Sequence, residues 1–403
     1  MQSPKQPLTR KLTWLFALTS GLVIANIYYS QPLLAVVAGE FGRSTTHLGF
    51  LVTLTQIGYA CGMLLIIPLG DTINRRKMII SLLLVTGVVL LAVAESQNFY
   101  VFAAASLALG VSSCAAQLPV PFAASLASER DRGKAVGTVM AGLLLGILLA
   151  RTLSGTVAYL AGWRAVYELA AVLIGLLAIL NGMLLPADSN SQQWAYTKLL
   201  RSMLTLLKEQ PQLRLRSAFG ALGYACFSLF WTGLTFLLTN APYHYSEVKI
   251  GLFGVAGAAG ALAAGFAGRM ADRGNVQRAT TLFTVAILVA FAFLYFGTTS
   301  LPSLLIGILV LDIGTQGMHI SNQSIIYSLD PGARSRITTI YLTSYFAGGA
   351  AGSAAAGMLY EASGWHGVCT AGILVSALLI GSWHFSQAVG ISRAASLARQ
   401  YRK

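Results

Sequence analysis

The strongest constraint on this chain is a succession of apolar runs, each near the ~20 residues that a helix needs to cross a bilayer, separated by short polar breaks. They fall near 12–38, 47–69, 78–96, 99–122, 135–160, 164–186, 216–240, 248–270, 279–298, 302–327, 337–361 and 365–389, twelve in all. With 56% of 403 residues hydrophobic and only 10% charged, there are too few charges to surface a soluble protein of this length. In hydrocarbon the backbone must satisfy its own hydrogen bonds, so the runs read as helices and the fold class as an all-α membrane protein.

Lys and Arg set the expected orientation, because basic residues concentrate in cytoplasmic loops. With both termini cytoplasmic, the inner segments hold 23 of the 27 Lys and Arg residues. Arg43, Arg164 and Lys249 are left outside, and Arg151 lies within a run. The net charge of +14 is therefore a topology signal. No basic run is interleaved with exposed aromatics, and no nucleic-acid partner is expected.

The first run is too long for a signal-peptide core and carries Asn26, Tyr28, Tyr29 and Gln31, so it is read as a retained helix. The cysteines Cys61, Cys114, Cys226 and Cys369 stand singly in four different runs. They are expected to be small core packers, with no disulfide, metal or cofactor.

An internal repeat organises the chain. RGKAVGTVMAGLLLGILLARTLSGTVAYLAGW from Arg132 and RSRITTIYLTSYFAGGAAGSAAAGMLYEASGW from Arg334 align without a gap at an offset of 202, each ending in Gly-Trp. The loops PLGDTINRRK and GRMADRGNVQR repeat as well, setting Asp71 against Asp272. The reading is two six-helix bundles, residues 1–186 and 215–403 with a basic tail, joined by a cytoplasmic linker at 187–214. Two parallel six-helix repeats are the plan of one large class of secondary transporters.

On these residues the chain resembles the major facilitator superfamily over its whole length, and most closely its bacterial twelve-helix drug:proton antiporters. GDTINRRK is similar to the family's loop signature, although Ile67, Thr72 and Asn74 depart from it; the second copy, with Gly268, Asp272 and Arg273, matches it better. The fifth run is similar to the family's glycine-spaced antiporter helix, but Arg151-Thr-Leu-Ser-Gly155 stands where Pro and paired Gly are common. NIYYSQPLL resembles a segment of one branch of bacterial exporters. The resemblance implies a multi-pass protein of the bacterial inner membrane, alternating access and proton-coupled efflux of a small organic substrate.

Individual residues carry more specific expectations. Gly142, Gly146, Ala150 and Ser154, like Gly348, Gly352 and Ala356, recur every four residues, a spacing that lets helices approach closely in lipid. Besides ordinary packing, they suggest a sliding seam between the bundles. Asp71, Arg75 and Arg76, with Asp272 and Arg273, are expected to gate by contacts available in only one state, the alternative being a topology anchor. In the tenth run Asp312, Gln316, His319 and Gln323 are spaced 4, 3 and 4, a stripe that faces an interior or a watery path.

Ionisable groups inside a membrane are costly and commonly functional. Arg151 and Asp312 sit at similar depth, so Asp312 is the expected partner of Arg151, directly or through water; outward snorkelling or a pair with Glu168 are the alternatives. Asp312 and Arg151, with His319 as a further candidate, are read as proton-coupling residues against a purely structural pair. Asn26, Tyr29, Gln117, Phe227, Trp231, Gln316 and Gln323 are read as substrate-contacting candidates, with core or interface packing the alternative for the aromatics.

No phosphate-binding loop, HExxH motif or sizeable soluble domain is present, so the chain is not expected to be an enzyme. The leading reading is a monomeric proton-coupled exporter in contact with membrane lipid. The alternatives are a proton-coupled or facilitative importer of a small nutrient and a non-transporting membrane sensor.

Overall fold

The computed structural model describes residues 8–43, 45–71, 73–128, 131–186, 195–257, 270, 275–330 and 333–400, with side-chain environments ending at residue 387 and omitting 45–48 and 71. The described residues form α-helices, short 3-10 turns and connecting loops, without a strand.

The first half comprises α1 (Arg10–Ala25), α2 (Leu34–Phe41), α3 (Thr45–Leu65), α4 (Arg75–Ala94), α5 (Phe99–Ser113), α6 (Pro119–Leu126), α7 (Arg132–Ala161) and α8 (Trp163–Leu184). There follow α9 (Tyr196–Glu209), α10 (Pro211–Thr239), α11 (Glu247–Ala256), α12 (Val276–Tyr295), α13 (Leu301–Ile326) and α14 (Arg334–Gln400). The last bends at Gly364, whose φ of 60° and ψ of −155° divide it into two legs. Only glycine adopts that backbone without strain. Nine helical segments among the described residues are long and apolar enough to cross a membrane.

Local sequence explains several boundaries. Thr9, Asn74, Asn98 and Ser300 each accept a backbone N–H at the start of a helix. Such caps satisfy donors that the first turn leaves unpaired. Pro119, Pro211 and Pro302 lie in first turns, where a missing N–H costs nothing. On α8, Leu169, Val172, Leu176, Ile179 and Met183 form an exposed apolar stripe, while Tyr167, Ile174 and Asn181 are buried on the other side. An apolar exterior of this kind suits lipid.

α1 packs along α7, and α10 along α14. A Cβ on Gly146 would overlap the Gly21 backbone, and one on the repeat-related Gly348 would overlap that of Ala221. The small-residue rows at Gly142/Gly146 and Gly348/Gly352 are therefore seams inside each repeat, not the sliding seam between repeats suggested by their spacing. The two repeats meet instead where α3 packs on α14 and α7 on α11. There a Cβ on Gly155 would overlap the Glu247 backbone.

Within the stretch 187–214 read as the linker, α9 is an amphipathic helix that buries Leu199 and Met203. It touches both repeats, through Tyr196 Oη donating to Leu65 O at 2.7 Å and Arg336 Nη1 donating to Ser202 Oγ at 3.0 Å. One further expectation is corrected: Cys61, read as a core packer, is exposed on α3, while Cys114, Cys226 and Cys369 are buried as small packers.

Candidate functional site

The first run breaks where its polar residues begin. α1 ends at Ala25, a turn covers 26–30, and a 3-10 turn, Gln31–Leu33, leads into α2. The break points Gln31 at α7, where Arg151 Nε donates to Gln31 Oε1 at 2.6 Å. Arg151 is 4% exposed, so it does not snorkel, and its bond goes to Gln31 instead of Glu168.

Three rings surround the guanidinium. Its carbon lies 4.2 Å from the Trp231 centroid, 4.8 Å from Tyr28 and 5.7 Å from Phe227. Cation–π attraction strengthens when the cation is desolvated, so these rings offset part of the cost of burying the charge. One nitrogen, Nη2, is buried without a hydrogen-bond partner.

Asp312, on α13, is 3% exposed, and its Oδ2 likewise has no partner. Arg151 and Asp312 make no direct ion pair, unlike Arg164 and Glu40, which do. Both instead line one cavity of about 30 Å³, with Phe227, Gly254, Gly257 and Gln316. That is room for one or two waters. Gly257 leaves the carboxylate open, since a Cβ there would sit 3.1 Å from Oδ2. The Trp231 indole N–H, which makes no hydrogen bond of good geometry, faces the same Asp312 carboxylate.

Aromatic contacts connect this cavity to His319. Tyr28 Oη lies 2.9 Å from Tyr224 Oη. Tyr224 stacks on Tyr345 at 4.1 Å between centroids, and Tyr345 meets the His319 ring at 4.5 Å. His319 Nδ1 in turn lies 2.9 Å from Tyr341 Oη. Of the sequence-derived stripe, Asp312 and Gln316 line the cavity, whereas His319 reaches it only through tyrosines, and Gln323 is buried without lining it.

The other candidates lie apart. Gln117 donates to Tyr59 Oη at 3.0 Å, and Tyr59 packs on Phe346 of the second repeat at 4.3 Å. Asn26 is buried with both side-chain polar atoms unpartnered, and Tyr29 is buried nearby in sequence. At the basic end, Arg75 Nε donates to Gly70 O at 3.1 Å and Arg76 Nη2 to Gly182 O. Asp272 and Arg273 fall outside the described residues, as does the side chain of Asp71.

Two polar groupings escaped sequence reasoning. Gln56 Nε2 donates to Ser228 Oγ at 2.8 Å, and Ser228 lies 2.7 Å from Ser353 Oγ, a cluster across the repeats. Gln56 as an amide within an apolar run was the available signal. Arg216, counted among the basic loop residues, is 3% exposed, donates to Thr280 and Asn322, and lies 4.9 Å from the Trp383 ring. Its place at the edge of an apolar run hid its burial.

Comparisons with known proteins accord with this architecture. A family profile described as "Major Facilitator Superfamily" matches residues 16–331 and 221–396. The "Uncharacterized transporter YgaY" of Escherichia coli O157:H7 is 44% identical over 383 residues, covering 95% of this chain and 97% of the relative. The "Probable transporter SCO4007" of Streptomyces coelicolor is 31% identical over 384 residues, covering 95% and 88%. The crystal structure of the human organic anion transporter MFSD10 (TETRAN) superposes with a TM-score of 0.73 at 20% identity, covering 94% of this chain and 100% of that one.

Proposed function

This chain belongs to the major facilitator superfamily, a family of transporters and not of enzymes, and from that premise we propose that it is a proton-coupled exporter of a small organic molecule. It works as a monomer of twelve membrane-spanning helices in the bacterial inner membrane, both termini cytoplasmic. Two bundles, residues 1–186 and 215–403, rock about a central cavity, with 187–214 as the cytoplasmic connection.

The observation that carries the reading is that Arg151 and Asp312 are buried, face one cavity between the repeats and do not pair directly. Removing one charge from such a site leaves the other uncompensated. A carboxylate held there can take a proton from one side of the membrane and release it to the other as access alternates. Phe227, Trp231 and Gln316 adjoin this path, Asn26, Tyr29, Gln117 and Gln323 contact the substrate in other states of the cycle, and His319 is a second proton carrier. The Asp71, Arg75, Arg76, Asp272 and Arg273 loops act as cytoplasmic gates.

In the present state the repeats are held together at the end opposite the basic loops. Thr235 Oγ1 donates to Gln31 O at 3.1 Å and Thr152 Oγ1 to Gly251 O at 2.9 Å. With the basic loops cytoplasmic, these bonds support reading this state as closed to the outside.

Direction and coupling are tested with everted and right-side-out vesicles carrying a respiration-generated pH gradient and a pH-sensitive dye. Drugs, sugars and amino-acid-like compounds are added in turn. An exporter dissipates the gradient and accumulates a compound in everted vesicles. Accumulation confined to right-side-out vesicles reverses the direction, and no response in either removes the proton-coupled reading.

A further inference from the structure

The cavity described above also constrains its occupant, on the premise that it lies on the transport path. We infer that the transported molecule is dipolar, carrying a carboxylate that Arg151 receives and an ammonium that Asp312 receives.

Three features point to that class. First, the two side chains are 4% and 3% exposed and bear opposite charge, yet each keeps one polar atom without a partner, Nη2 and Oδ2. A direct ion pair would satisfy both atoms, but the two side chains form none and line the same cavity. An occupant with one charge satisfies one wall and is repelled by the other. An occupant with both charges satisfies both and leaves the site neutral, which a low-dielectric interior favours.

Second, the open part of Arg151 is restricted. Its Nε is taken by Gln31 Oε1, and Trp231, Tyr28 and Phe227 crowd its guanidinium. Nη2 remains, and an N–H edge suits an oxygen acceptor such as a carboxylate. Third, Gly257 brings only backbone to the Asp312 face of the cavity. An ammonium group approaching there meets Oδ2 beside the Trp231 indole.

The cavity of about 30 Å³ fits water and not such a molecule, so this state is the collapsed form of the site. Binding therefore requires α7 and α13 to part, and the occupant then bridges charges that the closed state holds near each other through space.

The test is equilibrium binding to the purified full-length protein, without any gradient. L-Leucine, L-phenylalanine and 6-aminohexanoate are each compared with their N-acetyl derivatives, which keep only the carboxylate, and their methyl esters, which keep only the ammonium. At least one dipolar parent should bind at least ~10-fold more tightly than both of its singly charged derivatives, the scale of a lost charge-assisted hydrogen bond. Arg151→Gln should erase the preference over the ester, and Asp312→Asn the preference over the N-acetyl compound. Because each variant keeps one singly charged ligand, a general folding defect is distinguishable. Equal or tighter binding of either singly charged derivative, or no binding by any dipolar parent, overturns the inference. Selective binding without any gradient response in vesicles would defeat proton coupling alone. A gradient response to singly charged compounds alone would overturn the dipolar class and leave coupling intact.

Discussion

Arg151 Nε donates to Gln31 Oε1 at 2.6 Å, tying the middle of α7 to the break that follows α1. The Gln31 side-chain amide oxygen is the neutral acceptor that fixes the guanidinium among its three rings. Gln31→Met should therefore leave Nε buried and unsatisfied and lower stability by about 1–3 kcal/mol. Thermal unfolding of the purified protein measures this; an unchanged Tm would show that Arg151 is held by its rings alone.

The seams within the repeats predict opposite effects for two glycine substitutions. A side chain on Gly146 would collide with the Gly21 backbone, whereas nothing lies within 4 Å of a Cβ on Gly175. Gly146→Val should force α1 and α7 apart at about 1–3 kcal/mol. Gly175→Ala should instead stabilise its helix by about 0.5–1 kcal/mol. Melting temperatures shifting in the same direction would contradict this account.

How much of this was legible in the sequence follows from what each signal encodes. Hydropathy marks the spans, and the offset of 202 marks the repeat, because both are properties of the chain in one dimension. Arg151 stood out because a charge in an apolar run requires a partner. The small-residue spacing announced a close approach but not which helix approaches, so the seams inside the repeats were read as lying between them. The burial of Arg216 was hidden for a related reason: its neighbours in sequence are loop cations, while its partners Thr280 and Asn322 come from other helices. The route to His319 assembles tyrosines from three elements, which no periodicity within one helix reveals.

Across the repeats, Thr152→Val and Thr235→Val each delete one hydrogen bond at the end opposite the basic loops. Each loss is about 0.5–1.5 kcal/mol, enough to shift the balance of states by up to about tenfold toward opening at that end. Alkylation of a cysteine placed at the buried Ser154, in a background without the native cysteines, should accelerate in both variants. An unchanged rate would place the controlling contacts elsewhere.

Glu40 gives the fold a modest dependence on pH. The Trp163 indole N–H, and after it the Arg164 guanidinium, hold its carboxyl below the usual carboxylate range despite the opposing effect of burial. A depressed folded pKa contributes stability above the unfolded value, near ~4.3, and loses it as pH falls through the lower folded value. With the Glu40 side chain 39% exposed, solvent screening keeps the effect small. The Tm difference between wild type and Glu40→Gln should be present at neutral pH and close toward pH 3; a gap that widens on acidification would reverse the assignment.

The most direct test of the account is proton movement through Asp312→Asn in proteoliposomes, using an imposed pH gradient, an internal dye and a compound that discharges the gradient through wild type. The variant preserves side-chain size but cannot release a proton from that position. The account predicts that wild type dissipates the gradient when the compound is added and that Asp312→Asn, at equal protein content and with its fold verified by thermal unfolding, does not. Dissipation at the wild-type rate through Asp312→Asn would contradict the central claim and make Asp312 a structural counter-charge to Arg151.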